Sequence, residues 1–183
     1  MIEIKDLSVR LGTKQVFDRY SISFPDSGVV LVSGESGIGK TTLLRVLSGL
    51  LKPDSGMVSG LADRKISFVF QEPRLLEHLT ALQNVAIVSD MGKARRLLSE
   101  LNLEKEMNQK AAALSGGQKQ RVSVARAFAY SKDVVLLDEP FTGLDEQNKK
   151  RVADMISTAR LAIVVTHEAS DVEPLNINQK ITL

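Results

Sequence analysis

The stretch GESGIGKT, from Gly34 to Thr41, decides the fold of this chain. It fits the pattern G-x-x-x-x-G-K-[ST], in which glycines let backbone N–H groups wrap closely around phosphate oxygens. The apolar run Val29–Val32 predicts a strand directly before the loop, and the leucines after Thr41 predict a helix directly after it. This order of elements favours a phosphate cradle over a chance glycine turn. The predicted cradle comprises Gly34, Glu35, Ser36, Gly37, Ile38, Gly39, Lys40, Thr41 and Thr42.

Two side chains of the cradle have tasks of their own. Lys40 is expected to bring a compact positive charge to the β- and γ-phosphates of a bound nucleotide. The hydroxyl of Thr41 is expected to be a ligand of Mg²⁺. Kinases, GTPases and motors all use such a loop, so the rest of the chain must identify the reaction.

Strand patterns and helix patterns alternate along the rest of the chain. This alternation predicts an α/β fold with a mainly parallel sheet. Mixed strand patterns before the cradle predict an antiparallel β flank at the N-terminus, and Lys52–Gly56 reads as a turn. The other predicted strands are Ile66–Phe70, Val134–Leu137 and Leu161–Val165, and the predicted helices follow Thr41, end near Tyr130 and cover residues 146–159.

The length of the chain, 183 residues, suits a single domain. Residues 1–71 and 131–183 are expected to form the core with its β flank. Residues 72–130 are more helical and more charged in pattern, and we expect them to form a small helical subdomain.

Composition excludes several classes of protein. The chain has no Cys and therefore no disulfide framework, and its net charge of +2 gives no reason to expect a nucleic-acid partner. No apolar run approaches the roughly 20 residues that span a bilayer. The N-terminus lacks the pattern of a signal peptide. We therefore expect a soluble intracellular protein that reaches a membrane only through a partner.

A second set of candidate residues follows the apolar run Val134–Leu137, where Asp138 and Glu139 emerge. Ligands of open α/β sheets bind at the carboxyl ends of the strands. Asp138 is therefore a candidate ligand of Mg²⁺, and Glu139 is placed to polarise a water in line with the γ-phosphate. The alternative is a solvated acidic turn before Pro140.

A second glycine turn, LSGGQ at Leu114–Gln118, precedes another helical pattern. A serine and two glycines at a helix start are expected to leave the first backbone N–H groups bare, which makes an anion site. One nucleotide in one cradle does not need a second such site.

Together these motifs make the chain resemble the ATPase subunit of an ATP-binding cassette (ABC) transporter, of the importer type. LSGGQ matches the signature sequence of that family. It occurs in the family's order with the phosphate loop, Gln71, the Asp138–Glu139 strand end, TGLD at Thr142–Asp145, and His167. The likeness extends from about Ile2 to Glu173. It implies a P-loop NTPase fold with a RecA-like core and the Mg²⁺-dependent hydrolysis of ATP.

The resemblance also implies roles for residues outside the cradle. Two ATPase chains of this family pack head to tail, so Ser115, Gly117 and Gln118 would cap the ATP bound by the partner chain. Gln71 would touch Mg²⁺ and the attacking water, which gives Thr41, Gln71 and Asp138 as the metal set. His167 would hydrogen-bond the γ-phosphate. Asp145 would lie at the dimer seam, with the N-cap of the following helix as its plain structural role.

One position departs from the family pattern. The family often stacks adenine on an aromatic residue just before a glycine in the N-terminal sheet, and here Leu11 precedes Gly12. Leucine can pack on a base face but lacks the ring quadrupole. We therefore expect loose binding of adenine and poor discrimination between ATP and GTP.

The resemblance further implies partners and location. The expected partners are a second ATPase subunit, identical or homologous, membrane-spanning permease subunits and a solute-binding protein. The segment Glu72–Val85 has leucines at helical spacing, and we interpret it as core packing plus a groove for a short helix of the permease. The expected location is the cytoplasmic face of the cell membrane, where the chain is peripheral and held through the permease.

Three alternatives are weaker. A non-transport ABC ATPase usually carries coiled-coil arms, a duplicated cassette or basic extensions, and none is visible here. A plain P-loop kinase or GTPase would leave LSGGQ unexplained. A catalytically silent binding module would not need Lys40, Asp138, Glu139 and His167 together.

Overall fold

Two sheets of different kinds organise the chain. The computed structural model describes residues 1–167 and 173–183. The strands are β1 (Ile2–Leu11), β2 (Lys14–Phe24), β3 (Gly28–Ser33), β4 (Ser55–Ser59), β5 (Ile66–Val69), β6 (Val134–Asp138), β7 (Leu161–Val165) and β8 (Gln179–Thr182). The helices are α1 (Lys40–Leu47), α2 (Ala81–Ala86), α3 (Met91–Glu100), α4 (Gly116–Tyr130) and α5 (Glu146–Ile156), with a 3₁₀ turn at Ala111–Ala113.

The larger sheet is parallel, with the strand order β5-β6-β7-β3-β8. Every residue of β6 and β7 is buried, as expected for central strands covered on both faces. Side chains alternate between the faces, so Val134 and Leu136 join one core while Val135 and Leu137 join the other. The predicted α/β class with a mainly parallel sheet is confirmed.

The antiparallel flank is also present, with the strand order β2-β1-β4. Its buried side chains Ile2, Ile4, Leu7 and Val9 pack in one core with α1 and the parallel sheet. The turn predicted at Lys52–Gly56 is wrong in its second half, because β4 begins at Ser55 and pairs with β1.

The helices α2, α3 and α4 pack on one another and share a core with β5, β6 and β7. The helical spacing of leucines that begins at Leu75 does not produce a helix before Ala81. The reason is the buried side chain of Asn84, whose amide accepts from the N–H of Leu76 and donates to the carbonyl oxygens of Leu76, Leu79 and Thr80. These bonds hold residues 76–80 in an irregular conformation.

No helix in residues 1–167 or 173–183 is long and apolar enough to cross a membrane.

Candidate active site

A large cavity, of about 510 Å³, lies at the carboxyl ends of the parallel strands. The loop after β3, the end of β6, the end of β7 and the residue Gln71 after β5 all open onto it. It therefore brings together side chains that are far apart in the sequence. Its lining residues are Leu11, Lys14, Val16, Ser36, Gly37, Gly39, Lys40, Thr41, Thr42, Gln71, Asp138, Glu139, Val165 and His167.

The predicted phosphate cradle forms one wall of this cavity. The side chain of Lys40 is buried, and its ammonium donates to the carbonyl oxygens of Gly34 at 2.7 Å and Glu35 at 2.9 Å. Gly39 has φ +127°, and a Cβ there would lie 2.8 Å from Val16 and 2.9 Å from Phe17. Only glycine fits this position, because the loop is pressed against strand β2.

Lys14 was not identified from the sequence, because no motif marks it. It stands on β2, and its ammonium donates to the carbonyl oxygen of Gly37 at 2.9 Å. It lines the cavity beside Leu11, which is 43% exposed. A second cation therefore lies beside Leu11, at the place where the family pattern has an aromatic ring.

Asp138 contacts Thr41 of the phosphate cradle, and both line this cavity. The Asp138 carboxyl is 3% exposed, and burial raises its pKa, against the opposing effect of the hydrogen bond from Thr41. The neighbouring Glu139 raises this pKa further, while Arg45 and Lys40 lower it. The site thus holds a carboxyl group whose charge is poorly compensated by the protein alone.

Glu139 is tied to the sheet and to His167. Its N–H donates to the carbonyl oxygen of Val165 at 2.9 Å, and its backbone has φ +51°, which is uncommon outside glycine. The His167 Nδ1 lies 2.7 Å from Glu139 Oε1. An ionised carboxylate only accepts, so Nδ1 is the donor of this pair whenever the carboxylate is ionised. A neutral imidazole has a single N–H, so it donates either to Glu139 or to a phosphate; an imidazolium donates to both.

The oxygen donors of Thr41, Asp138 and Gln71 suit a hard cation. The Thr41 hydroxyl and the Asp138 carboxylate are in contact, Gln71 lines the same cavity, and Mg²⁺ prefers few protein oxygen ligands together with phosphate. Within the described ranges, no group of three or more His, Cys, Asp or Glu side chains could hold a metal ion by itself. The residues present therefore fit a cation that arrives with a nucleotide.

The signature residues lie outside this cavity. Ser115 caps α4: its Oγ accepts from the N–H of Gln118 at 3.3 Å, and the Gln118 Oε1 accepts from the N–H of Ser115 at 2.8 Å. The helix start is therefore capped by its own side chains, and the expectation of bare N–H groups is wrong for Gln118. A Cβ at Gly117 would lie 2.5 Å from the carbonyl oxygen of Gly143, so α4 touches the TGLD segment closely.

Asp145 has the structural role of an N-cap. Its Oδ1 accepts from the N–H of Asn148 at 2.8 Å at the start of α5.

A separate apolar groove of about 320 Å³ runs between β5 and α4; we call it the β5–α4 groove. Phe70 lines this groove while the next residue, Gln71, lines the large cavity. Leu50 and Tyr130 are 60% and 52% exposed there. The groove is lined by Ser48, Leu50, Ile66, Ser67, Phe68, Phe70, Val88, Arg126, Ala127 and Tyr130.

Comparisons with known proteins agree with this geometry. The family model described as ABC transporter matches residues 17–142. A relative from Chlorella vulgaris, named "Probable sulfate/thiosulfate import ATP-binding protein CysA", is 38% identical over 205 residues, with 100% of this chain and 86% of that protein covered. The aliphatic sulfonates import ATP-binding protein SsuB of Zymomonas mobilis subsp. mobilis is 38% identical over 184 residues, with 93% of this chain and 77% of that protein covered.

A solved structure gives the same result. It is the dimeric post-hydrolysis state of the ATP-binding cassette MJ0796 bound to ADP and Pi. The TM-score is 0.88 at 28% identity, and the match covers 100% of this chain and 94% of that one. The chain belongs to the ABC transporter family, as one of its ATP-hydrolysing cassettes.

Proposed function

We propose that this chain powers an importer by hydrolysing Mg²⁺-ATP at the large cavity, in a head-to-tail dimer of two cassettes. The observation that carries the proposal is the single cavity that joins the phosphate loop to Gln71, Asp138, Glu139 and His167. Phosphoryl transfer needs this combination of positioned anion donors, metal ligands and a residue that orients water.

The proposed chemistry assigns one task to each side chain. The loop amides and Lys40 hold the β- and γ-phosphates. To do so, the Lys40 ammonium must give up its hydrogen bonds to the carbonyl oxygens of Gly34 and Glu35. Thr41, Asp138 and Gln71 would hold Mg²⁺, which neutralises charge that develops on the phosphate oxygens.

Glu139 accepts a proton from the attacking water as general base. His167 lies beside Glu139 and orients its carboxylate. When the imidazole is protonated, His167 also donates to the γ-phosphate.

The signature segment is proposed to act on the other chain of the dimer. Ser115, Gly117 and Gln118 are not among the residues that line the cavity of their own chain. A two-fold arrangement lets the start of α4 reach the γ-phosphate bound by the partner, with Asp145 at the seam. ATP bound between two chains then stabilises the dimer.

We assign the β5–α4 groove to the permease, as the seat of a short apolar segment of that partner. The sequence indicated Glu72–Val85 for this contact, whereas none of those residues lines the groove, so the proposed seat differs from the expected one. Its apolar lining and exposed Leu50 and Tyr130 support a docking role. The chain would then lie on the cytoplasmic face of the membrane, and a solute-binding protein would deliver the solute to the permease.

The position of Leu11 in the cavity lining supports weak and unselective binding of the nucleotide base. A leucine packs on adenine and guanine alike, and no Phe, Tyr or Trp ring lines this cavity among residues 1–167 and 173–183. We expect ATP and GTP to bind within about a hundredfold of each other, near 2.7 kcal/mol. Competition binding that gives a larger preference would contradict this assignment.

The Glu139→Gln variant tests the proposed function. It should bind Mg²⁺-ATP, stall hydrolysis and accumulate as a dimer, so light scattering should give a dimer mass only with Mg²⁺-ATP. Lys40→Ala is the control, which should bind weakly and stay monomeric. Hydrolysis by Glu139→Gln at the wild-type rate would refute the assignment of the base. A monomer with ATP bound would refute self-pairing of the isolated chain and leave either a different ATPase partner or a dimer that requires the permease subunits.

A further inference from the structure

The side chain of Gln120 makes a contact that no motif predicts. Gln120 lies in α4, is 2% exposed, and does not line the nucleotide cavity. Its Nε2 donates to the carbonyl oxygen of Glu139 at 3.2 Å. Helix α4 is thus hydrogen-bonded to the backbone of the residue whose carboxylate faces the cavity.

The backbone of Glu139 needs such support. Its φ of +51° lies in the left-handed region, which is unfavourable for a residue with a side chain. A residue persists there only when its surroundings hold it. The N–H of Glu139 is held by Val165 and its carboxylate by His167. Its carbonyl accepts the bond from Gln120 at 3.2 Å and a longer one, of 3.4 Å, from the N–H of Thr142.

We propose that Gln120 is a positioning residue for Glu139, holding its peptide so that the carboxylate faces the attacking water. The inference rests on the proposed role of Glu139 as general base. Gln120 does not line the nucleotide cavity, so it acts through the main chain of Glu139. Without the donor of Gln120, the carbonyl of Glu139 keeps only the 3.4 Å bond from the N–H of Thr142, so the peptide is held less firmly. A small displacement of a catalytic group costs a large factor in rate.

The position of Gln120 in the chain adds a consequence. It follows the signature residues Ser115–Gln118 within the same helix, and Gly117 contacts Gly143 just beyond Glu139. A shift of α4, caused by the partner's nucleotide at its N-terminus, therefore acts on the base of the chain's own site. The two sites of the dimer would sense each other through this bond.

The test is the steady-state ATPase rate of Gln120→Met, which keeps the size of the side chain and removes the donor. We expect kcat to fall at least tenfold while KM for ATP stays within twofold, because binding groups are untouched. Ser123→Ala is the matched control, since Ser123 is also 2% exposed in α4 and does not line the cavity. Both its constants should stay within twofold of wild type.

A second comparison separates positioning from damage to the fold. In a Glu139→Ala background, Gln120→Met should lower the residual rate no further, whereas unfolding would lower it in both backgrounds. A wild-type kcat for Gln120→Met, or an equal loss in both backgrounds, would overturn the inference. Wild-type hydrolysis by Glu139→Ala alone would instead overturn the proposed function.

Discussion

Two adjacent glycines at the start of α4 should respond to alanine in opposite ways. Gly116 and Gly117 are both helical, and alanine at either gains roughly 0.5–1 kcal/mol of helix stability. A Cβ at Gly116 meets nothing within 4 Å, whereas one at Gly117 lies 2.5 Å from the Gly143 carbonyl oxygen and 3.3 Å from Leu144. Overpacking against a backbone atom costs roughly 1–3 kcal/mol.

The helix gain cancels between the two variants, so their difference measures the contact alone. We expect Gly117→Ala to be less stable than Gly116→Ala by about 2 kcal/mol, or about 6 °C in melting temperature for a chain of this size. The assay is thermal unfolding followed by circular dichroism without nucleotide, so that contacts to ATP play no part. Equal melting temperatures for the two variants would refute the close approach of α4 to the TGLD segment.

Three further changes test other parts of the molecule. Because the pKa of Asp138 is raised, this carboxyl contributes stability at low pH that is lost as the pH rises through its folded pKa. Asp138→Asn should therefore raise the melting temperature at neutral pH without nucleotide or Mg²⁺, while ATP hydrolysis is lost. A lower melting temperature would contradict the burial argument. Lys14→Met should weaken the binding of ATP and of GTP about equally, by about fivefold at low salt and by less at high salt, as measured by calorimetric titration. Lys52→Met is the control, because Lys52 does not line the cavity, and its binding of both nucleotides should not change. Leu50→Glu should abolish permease binding and transport, because it places a charge in the apolar groove, while the basal ATPase rate stays within twofold of wild type. The control is Met57→Glu on the β flank, where Met57 is 57% exposed; it should leave transport intact.

Local patterns were sufficient for the parallel sheet, since β3, β6 and β7 are short apolar runs bounded by turn signals. They failed at β4, because Ser55 and Gly56 follow Pro53 and Asp54 and read as a turn. The glycine has a different purpose there: a Cβ at Gly56 would lie 2.6 Å from the Asp6 carbonyl oxygen of β1. That approach depends on the pairing of two strands distant in the sequence.

The candidate site divides in the same way. The phosphate loop and the Asp138–Glu139 pair each follow an apolar strand pattern directly. Because parallel strands end at the same edge of a sheet, the sequence was sufficient to predict that they share one cavity. Lys14 and Gln120 carry no local signal, because each matters only through a backbone oxygen, of Gly37 or Glu139, that the fold brings to it. Asn84 similarly cancels a helical pattern through bonds to residues earlier in the chain.

The boundary between the groove and the nucleotide cavity is a single peptide unit. Phe70 faces one and Gln71 the other, and consecutive Cα atoms are about 3.8 Å apart. A docked segment that displaces the Phe70 ring would therefore act on the backbone directly before Gln71. Permease docking would then be coupled to the nucleotide site through a local change of backbone conformation. We expect this coupling on the timescale of a loop rearrangement rather than of a domain rotation.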